Sequence, residues 1–134
     1  MTKEIQIGNS IINKHSPIYF IADIASNHDG SLIKAKELIH MCAEAGSNAV
    51  KFQNFTGETL ICDKAFKKMG NVTHQSSWKE STFDSYNKVS LSIEWSSQLK
   101  EECEKYRIDY FTSPYNLDYI DQLEPYVCAW KVGS

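Results

Sequence analysis

Long apolar runs and an excess of positive charge are both missing from this chain. No run approaches the roughly 20 apolar residues that a helix needs to cross a bilayer, and the N-terminus, MTKEIQIGNS, has no apolar signal core. We therefore expect a cytoplasmic protein with no membrane partner. The net charge is -3, which argues against nucleic acid as a partner, because nucleic acid favours a basic surface.

Short motifs for metal binding and for several common chemistries are missing as well. The four cysteines have no CxxC spacing, so the sequence predicts neither a metal site nor a disulfide framework. No Walker A, GxGxxG, GxSxG or HExxH motif is present. Cys42 and Cys103 fall on apolar helix faces and are expected to be buried thiols.

What the sequence does contain is an alternation of strands and helices. With 134 residues, 42% of them hydrophobic and 23% charged, it is expected to form one globular core. Short returns between the elements imply parallel strands joined by right-handed crossovers. The predicted elements are a hairpin of Glu4–Ile7 and Ile11–Ile12, strands Ile18–Ala25, Asn48–Phe55, Asp109–Pro114 and Val127–Ser134, and helices from Ser31 to about Ala45, from Ser92 to about Tyr106 and after Asn116.

One long segment, Thr56–Leu91, interrupts this alternation. It is polar and aromatic and includes the cluster His74–Trp78. A loop of this length in a compact domain usually covers a site or contains small helices of its own. Lys64–Met69 and Ser81–Lys88 are the candidate helices.

Polar side chains follow the predicted strands at the points where they end. In a parallel α/β sheet or barrel, the carboxyl ends of the strands present the active site. Asp23 interrupts an apolar strand, and it either caps the following turn or holds a substrate hydroxyl and assists proton transfer. In the loop that follows, Asn27 suits a turn, and His28 could donate a hydrogen bond to a ligand.

Two lysines near strand ends point to an anionic ligand. Lys51 and Gln53 are two residues apart in one strand, so their side chains point to the same side. A lysine in such a position is costly unless an anion pairs with it, and Lys131 lies similarly in the last strand. We therefore favour a phosphate or carboxylate ligand. Ser113 and Ser134 either bind phosphate oxygens or cap the next helix.

Taken together, these strand ends resemble the sialic acid synthase family, the N-acetylneuraminate synthases. The segment FIADIASNHDGSLIKAKELIHMCAEAGSNAVKFQNF (Phe20–Phe55) is similar to the family's strand-NHxG-helix-VKFQ signature. The segment DYFTSPYNLDYIDQLEPYVCAWKVGS (Asp109–Ser134) is similar to its phosphate-binding S/T-P segment and the YKIGS-type strand that follows. Each motif is modest alone, but their order and spacing make the combination specific.

The resemblance implies a (β/α)8 TIM barrel that condenses phosphoenolpyruvate with an N-acylated amino sugar such as N-acetylmannosamine. The reaction releases phosphate and forms a nonulosonic acid for sialic acid or surface polysaccharide biosynthesis. The family often has glutamate where this chain has Asp23, and threonine is common where it has Ser113. The implied residues around phosphoenolpyruvate are Lys51, Ser113, Lys131 and Ser134, and those on the sugar side are Gln53 and Asp23. We predict as catalytic Asp23, Lys51 and Lys131, and as substrate-binding Asn27, His28, Gln53, Ser113, Tyr115 and Ser134.

On this interpretation residues 1–134 are the N-terminal half of the catalytic barrel, preceded by a short β-hairpin. The C-terminal barrel half, the antifreeze-like domain and the ligands of the family's divalent metal, Mn or Mg, are then outside this chain. The full-length enzyme is expected to be a homodimer. Because half a barrel has open strand edges, we expect the chain alone to be inactive and either poorly soluble or self-associated. Two alternatives remain open, namely another TIM-barrel aldolase or isomerase acting on a phosphorylated substrate, and a non-catalytic fragment that self-associates.

Overall fold

A computed structural model of the chain describes residues 3–68 and 80–133. It begins with an antiparallel hairpin of β1 (Ile5–Ile7) and β2 (Ser10–Ile12). Gly8 turns the chain between them with a φ of 54°, a conformation that glycine adopts without steric cost. The hairpin predicted from the sequence is therefore confirmed.

A parallel sheet of three strands forms the centre of the molecule. In spatial order its strands are β3 (Ile21–Ala25), β4 (Ala49–Asn54) and β5 (Asp109–Pro114), and each neighbouring pair is parallel. Helix α1 (Leu32–Glu44) connects the first two strands. Helix α5 (Ser96–Lys105), preceded by a 3₁₀ turn at Ile93–Trp95, leads into the third. The predicted α/β order is confirmed.

Helix α1 begins and ends where the sequence predicts. The Ser31 side chain accepts a hydrogen bond from the Lys34 N–H at 3.3 Å, which satisfies one of the free donors of the first turn. Ala35 and Ile39, on its apolar stripe, are completely buried. Gly46, with a φ of 87°, follows the last turn in the left-handed conformation that commonly terminates helices.

The hydrophobic core lies between one face of the sheet and the helices α1 and α5. Val50, Phe52 and Tyr110 come from the strands, while Ile39 and Leu99 come from the helices. Cys103 is also buried in this core, and Cys42 is partly buried against it. No helix in the described ranges is long and apolar enough to cross a membrane.

The long segment between β4 and α5 contains three short helices. They are α2 (Gly57–Leu60), α3 (Asp63–Lys68) and α4 (Thr82–Lys88), and α2 packs against α4. The two helices predicted in this segment are thus present, although Met69 lies outside the described residues. So does the predicted His74–Trp78 cluster.

Some details of the predicted elements are wrong. The first strand begins at Ile21 rather than Ile18. Its nearly continuous apolar sequence also predicts a strand buried on both faces, but Ile21 is 46% exposed, and Ile18 and Phe20 before it are 74% and 59% exposed. It is an edge strand in the described sheet, so one of its sides has no covering strand. Ser92, predicted as the cap of the second long helix, precedes the 3₁₀ turn Ile93–Trp95 and makes no side-chain cap hydrogen bond.

The predicted strand Val127–Ser134 is not a regular strand. In the described residues it makes one parallel bridge, between Thr112 and Trp130, and the Lys131 N–H donates to the Thr112 carbonyl at 3.1 Å. Val132 is 85% exposed. A segment paired on one side at a single point lacks the continuous ladder that defines a strand. The last short helix, α6 (Ile120–Leu123), follows a 3₁₀ turn at Leu117–Tyr119 capped by Asn116.

Candidate functional site

The sheet register places the predicted strand-end residues on one face. Lys51 lies beside Asp23 on one neighbour and beside Phe111 on the other, and Gln53 lies beside Ser113. Residues in register in a parallel sheet point to the same side. Phe52 and Tyr110 alternate with them and pack in the core, so the polar set occupies the face opposite the helices.

An ion pair lies at the centre of this face. Lys51 Nζ is 2.7 Å from Asp23 Oδ1, and the two side chains are 5% and 62% exposed respectively. The cation is therefore withdrawn from water, whereas its carboxylate partner is largely hydrated. A buried lysine has a strong need for negative charge, which makes the Lys51 ammonium a candidate partner for an anionic ligand.

A β-bulge at the end of β3 positions the carboxylate. Asp23 pairs with Lys51, but the register then shifts so that Ala25, with a φ of 51°, pairs with Phe52. The residue between them, Ile24, is buried in the core. A bulge of this kind redirects side chains at the end of a strand, and here it directs Asp23 to Lys51 while Ile24 contributes to packing.

Ser113, Gln53 and Tyr115 continue this polar face toward the strand ends. Ser113 is completely buried, and its Oγ has no hydrogen-bond partner among the described residues. Buried hydroxyls are nearly always paired, so this one is suited to a ligand oxygen. Gln53 Nε2 donates a long hydrogen bond of 3.5 Å to Tyr115 Oη. The polar residue Thr112 instead serves structure, since its hydroxyl donates to Asn54 Oδ1 at 2.5 Å.

The second predicted lysine joins the edge of this group. The bridge between Thr112 and Trp130 puts Lys131 next to Ser113 in the register, and Lys131 is exposed. Gly133, two residues further along the chain, lies close to Tyr115, since a Cβ at Gly133 would be 3.2 Å from the Tyr115 ring. The predicted phosphate-binding Ser134 lies outside the described residues.

A cavity of about 410 Å³ opens at the carboxyl ends of these strands. Asn27 contributes to it from the loop after β3 and donates from Nδ2 to the Ile24 carbonyl at 2.9 Å. Apart from Tyr115, which was predicted as substrate-binding, sequence reasoning missed the aromatic and aliphatic part of its wall. Phe55 could have been found, because it is two residues beyond Gln53, but Tyr86 carries no local signal. The lining residues are Ala25, Ser26, Asn27, Gln53, Phe55, Leu60, Tyr86, Val89 and Tyr115.

His28 is the predicted site residue that the structure does not bring to this group. It is completely buried, with ring centroids 6.2 Å from those of both Phe52 and Trp95. Its Nδ1 accepts the Gly30 N–H at 3.1 Å, and its Nε2 has no partner among the described residues. Burial lowers the pKa of His28 below its usual value. The side chain is thus held neutral within the core.

Comparisons with known proteins identify the family of this chain. A model of the NeuB family matches residues 38–134. The chain belongs to the NeuB family. It is 29% identical over 120 residues to a pseudaminic acid synthase of Helicobacter pylori, covering 88% of this chain and 35% of that protein. It is 32% identical over 103 residues to an N,N'-diacetyllegionaminic acid synthase of Campylobacter jejuni, covering 77% and 30% respectively.

A solved NeuB-family structure extends the comparison to the fold. The crystal structure of N-acetylneuraminic acid synthetase from Leptospira borgpetersenii in complex with citrate superimposes with a TM-score of 0.74 at 26% identity. The superposition covers 98% of this chain and 41% of the Leptospira chain. The predicted α/β class is confirmed, and the fold matches part of the family's TIM barrel. The chain spans about a third of the length of the curated relatives it matches.

NeuB-family synthases use a divalent metal, but the described residues do not fit one. Between residues 3 and 68 and between 80 and 133, no group of three or more histidine, cysteine, aspartate or glutamate side chains could hold a metal ion. The Asp23 carboxylate already pairs with Lys51. The polar groups at these strand ends are therefore lysine ammoniums, hydroxyls, amides and the single Asp23 carboxylate.

Proposed function

We propose that this chain provides the phosphoenolpyruvate-binding face of a nonulosonic acid synthase. The full enzyme would condense phosphoenolpyruvate with an N-acylated amino sugar such as N-acetylmannosamine. In that reaction the methylene carbon of phosphoenolpyruvate bonds to the sugar's aldehyde carbon, water adds at the carbon bearing the phosphate, and phosphate leaves. The observation that carries the proposal is the buried Lys51 ammonium on the same face of the sheet as the buried Ser113 hydroxyl, whose oxygen has no hydrogen-bond partner among the described residues.

Each proposed role follows from the position of the side chain. Lys51 and Lys131 would offset the negative charge of the phosphate and carboxylate groups, and a site with little water strengthens that attraction. Ser113 would donate its hydroxyl to a phosphate oxygen, with Ser134 proposed for the same task. Asp23, largely exposed next to Lys51, would bind a sugar hydroxyl or assist proton transfer.

We place the binding site of the acceptor sugar in the cavity at the strand ends. Gln53 and Asn27 line it together with aromatic rings. Relatives of this chain bear the names of synthases for pseudaminic acid and for N,N'-diacetyllegionaminic acid, and the Leptospira structure is of an N-acetylneuraminic acid synthetase. Support therefore extends to an acylated amino sugar as a class, with N-acetylmannosamine as our specific proposal. A second copy of the protein, in a homodimer, completes the proposed partners.

A second candidate function is self-association without catalysis. It is favoured by the exposure of Ile18 and Phe20 just before β3 and of Ile21 at its start, since β3 is an edge strand of the described sheet. Unpaired strand edges with apolar side chains promote pairing with another chain. Association that depends on protein concentration, without any binding of phosphoenolpyruvate, would favour this candidate.

Calorimetric titration of the chain with phosphoenolpyruvate tests the main proposal. We expect saturable binding that Lys51→Met and Lys131→Met each weaken by at least about tenfold, corresponding to about 1.4 kcal/mol. Lys14→Met, a change of the same charge at an exposed residue before β3, is the control and should bind as the parent does. Equal binding by the parent and Lys51→Met would refute the proposed role of this face.

A further inference from the structure

Asn54, the last residue of β4, joins three parts of the chain. Its Oδ1 accepts the Thr112 hydroxyl at 2.5 Å, and its Nδ2 donates to the Leu91 carbonyl at 3.4 Å. Its own backbone carbonyl accepts the Tyr115 N–H at 3.0 Å. Asn54, Thr112 and Leu91 are all buried. One residue therefore connects the end of β5 to the segment that leads into α5.

Asn54 and Thr112 lie on the face of the sheet that packs against the helices. Thr112 is in register with Phe52, whose ring belongs to the core, and Asn54 is two residues beyond Phe52 in the same strand. Residues in register, and residues two apart in a strand, point to the same side. Neither side chain therefore contacts a ligand bound on the opposite face, where Lys51 and Ser113 lie.

The bond between these two side chains reinforces the sheet near the end of its backbone ladder. Pro114 is the residue of β5 that pairs with Asn54 in the register, but proline has no N–H to donate. The diagonal contact between Thr112 and Asn54 supplies a side-chain hydrogen bond at this point, and such cross-strand pairs stabilise sheets. Because both groups are buried, removal of one would leave the other without a partner and away from water.

The segment that carries Lys131 depends on Thr112. Among the described residues, the backbone pairing of this segment with the sheet consists of one bridge, between Thr112 and Trp130. The Lys131 N–H donates to the Thr112 carbonyl at 3.1 Å. Lys51, by contrast, lies inside β4, which pairs with a neighbour on each side. The position of Lys131 is therefore set by Thr112, whereas the position of Lys51 is set by two ladders.

We propose that Asn54 and Thr112 are positioning residues for the Lys131 ammonium in the anion-binding face. The bond between their side chains holds the Thr112 backbone, and the Thr112 carbonyl in turn holds the backbone of Lys131. This inference rests on the proposed function, because it assigns Lys131 to the same anion as Lys51. The attraction between an ammonium and an anion falls with their distance. A shift of the Lys131 backbone therefore weakens binding although no group that contacts the ligand is lost.

Calorimetric titration with phosphoenolpyruvate tests the role of the Thr112 hydroxyl. Thr112→Val removes the hydroxyl while nearly keeping the side-chain shape, and it should weaken binding at least about fivefold, which corresponds to about 1 kcal/mol. Thr112→Ser retains a hydroxyl and should bind within about twofold of the parent.

A double-mutant cycle shows whether Thr112 acts through Lys131. When Lys131→Met is already present, Thr112→Val should change the remaining binding by less than about twofold, because the group that it positions is absent. When Lys51→Met is present instead, the loss of about fivefold should persist, since Lys51 is held by β4 independently.

Amide hydrogen exchange provides a readout that needs no ligand. The Lys131 N–H should exchange at least about fivefold faster in Thr112→Val than in the parent, because its acceptor is held less firmly. Asn48→Ala is the control, since Asn48 comes just before β4 and its Oδ1 accepts the Phe20 N–H at 2.8 Å. Asn48 is about 20 Å along the strand from Asn54, so this variant should change neither the exchange nor the binding.

Two results would overturn the positioning role. One is equal phosphoenolpyruvate binding, or equal Lys131 exchange, in the parent and in Thr112→Val; the other is an undiminished loss of binding when Lys131→Met is present. If binding still depends on Lys51 and Lys131 in either case, the proposed function survives, and if the parent does not bind, both proposals fail. Circular dichroism establishes folding. If Thr112→Val unfolds, its double variant with Asn54→Leu takes its place, because replacing both partners by apolar groups leaves neither one unpaired.

Discussion

The pairing of Lys51 with Asp23 allows a quantitative prediction about stability. Asp23→Asn removes the carboxylate 2.7 Å from the ammonium while nearly preserving the side-chain shape. Breaking a fully buried pair costs about 3–5 kcal/mol, whereas an exposed pair contributes about 0–1 kcal/mol. Because Lys51 is 5% exposed and Asp23 62% exposed, the expected loss in the free energy of unfolding lies between these limits. We expect about 1–3 kcal/mol.

Substitution of the other partner of the ion pair, Lys51, is expected to behave differently. Lys51→Met removes the buried charge, keeps most of the side-chain volume, and leaves Asp23 where water can hydrate it. Its free energy of unfolding should therefore stay within about 1 kcal/mol of the parent value or exceed it. The double variant should have nearly the same free energy of unfolding as Lys51→Met. Once Lys51 is replaced, asparagine at position 23 no longer leaves a buried cation without an anionic partner.

Urea unfolding followed by tryptophan fluorescence measures all four proteins, with stability taken from the midpoint and slope. The decisive comparison is between the two single variants. If Lys51→Met were destabilised more than Asp23→Asn, the lysine would be a net contributor to stability, and a buried cation in need of an anion would be the wrong description. The phosphoenolpyruvate argument would then lose its electrostatic basis.

Two further predictions concern titration and thiol reactivity. Burial lowers the pKa of His28 below its ordinary value near 6.5, so the unfolded chain takes up this proton first. Stability should fall as the pH drops below about 6.5 toward the folded pKa, and His28→Gln should flatten that part of a urea-midpoint profile against pH. Iodoacetamide, with mass-spectrometric mapping, should modify exposed Cys62 in the native protein and Cys103 only after unfolding. Cys103 is buried, and burial raises its pKa; fast native labelling of Cys103 would contradict its placement in the core.

Local sequence signals predicted the elements that are stabilised by their own residues and immediate neighbours. Helix α1 is delimited by Ser31 and Gly46, and both act as the cap and the terminator that their residue types suggest. Strand β5 matches its predicted bounds, because it pairs along its full length with β4. The errors occur where pairing is incomplete. An apolar run such as Ile18–Ala25 indicates burial on two faces only if other elements pack on both faces, and here part of the run lies before the first residue of an edge strand.

For the candidate site, the period of two residues along a strand was sufficient to predict side-chain directions in β4. It was not sufficient in the loop after β3. It correctly put Lys51 and Gln53 on one face, since β4 is regular between two neighbours. It could not predict the direction of His28. The chain reverses there through positive φ values at Ala25, Asp29 and Gly30, and the imidazole enters the core instead of the cavity. No local pattern specifies that direction, because it is decided by the space available between Phe52 and Trp95.

The aromatic part of the cavity wall shows why a long polar and aromatic segment can serve a site that its own sequence does not reveal. Tyr86 reaches the cavity because Gly30 and Gly57, far from it in the chain, let the backbone of α4 approach the strand ends. A cation such as Lys51 binds an anion more strongly when water is kept away, and a helix docked beside the strand ends reduces access of water to that face. Apolar shielding and polar strand ends therefore depend on each other. A methyl group added at Gly30 would push α4 outward, so Gly30→Ala should weaken the binding of both proposed ligands, although neither proposal assigns Gly30 a contact with a ligand.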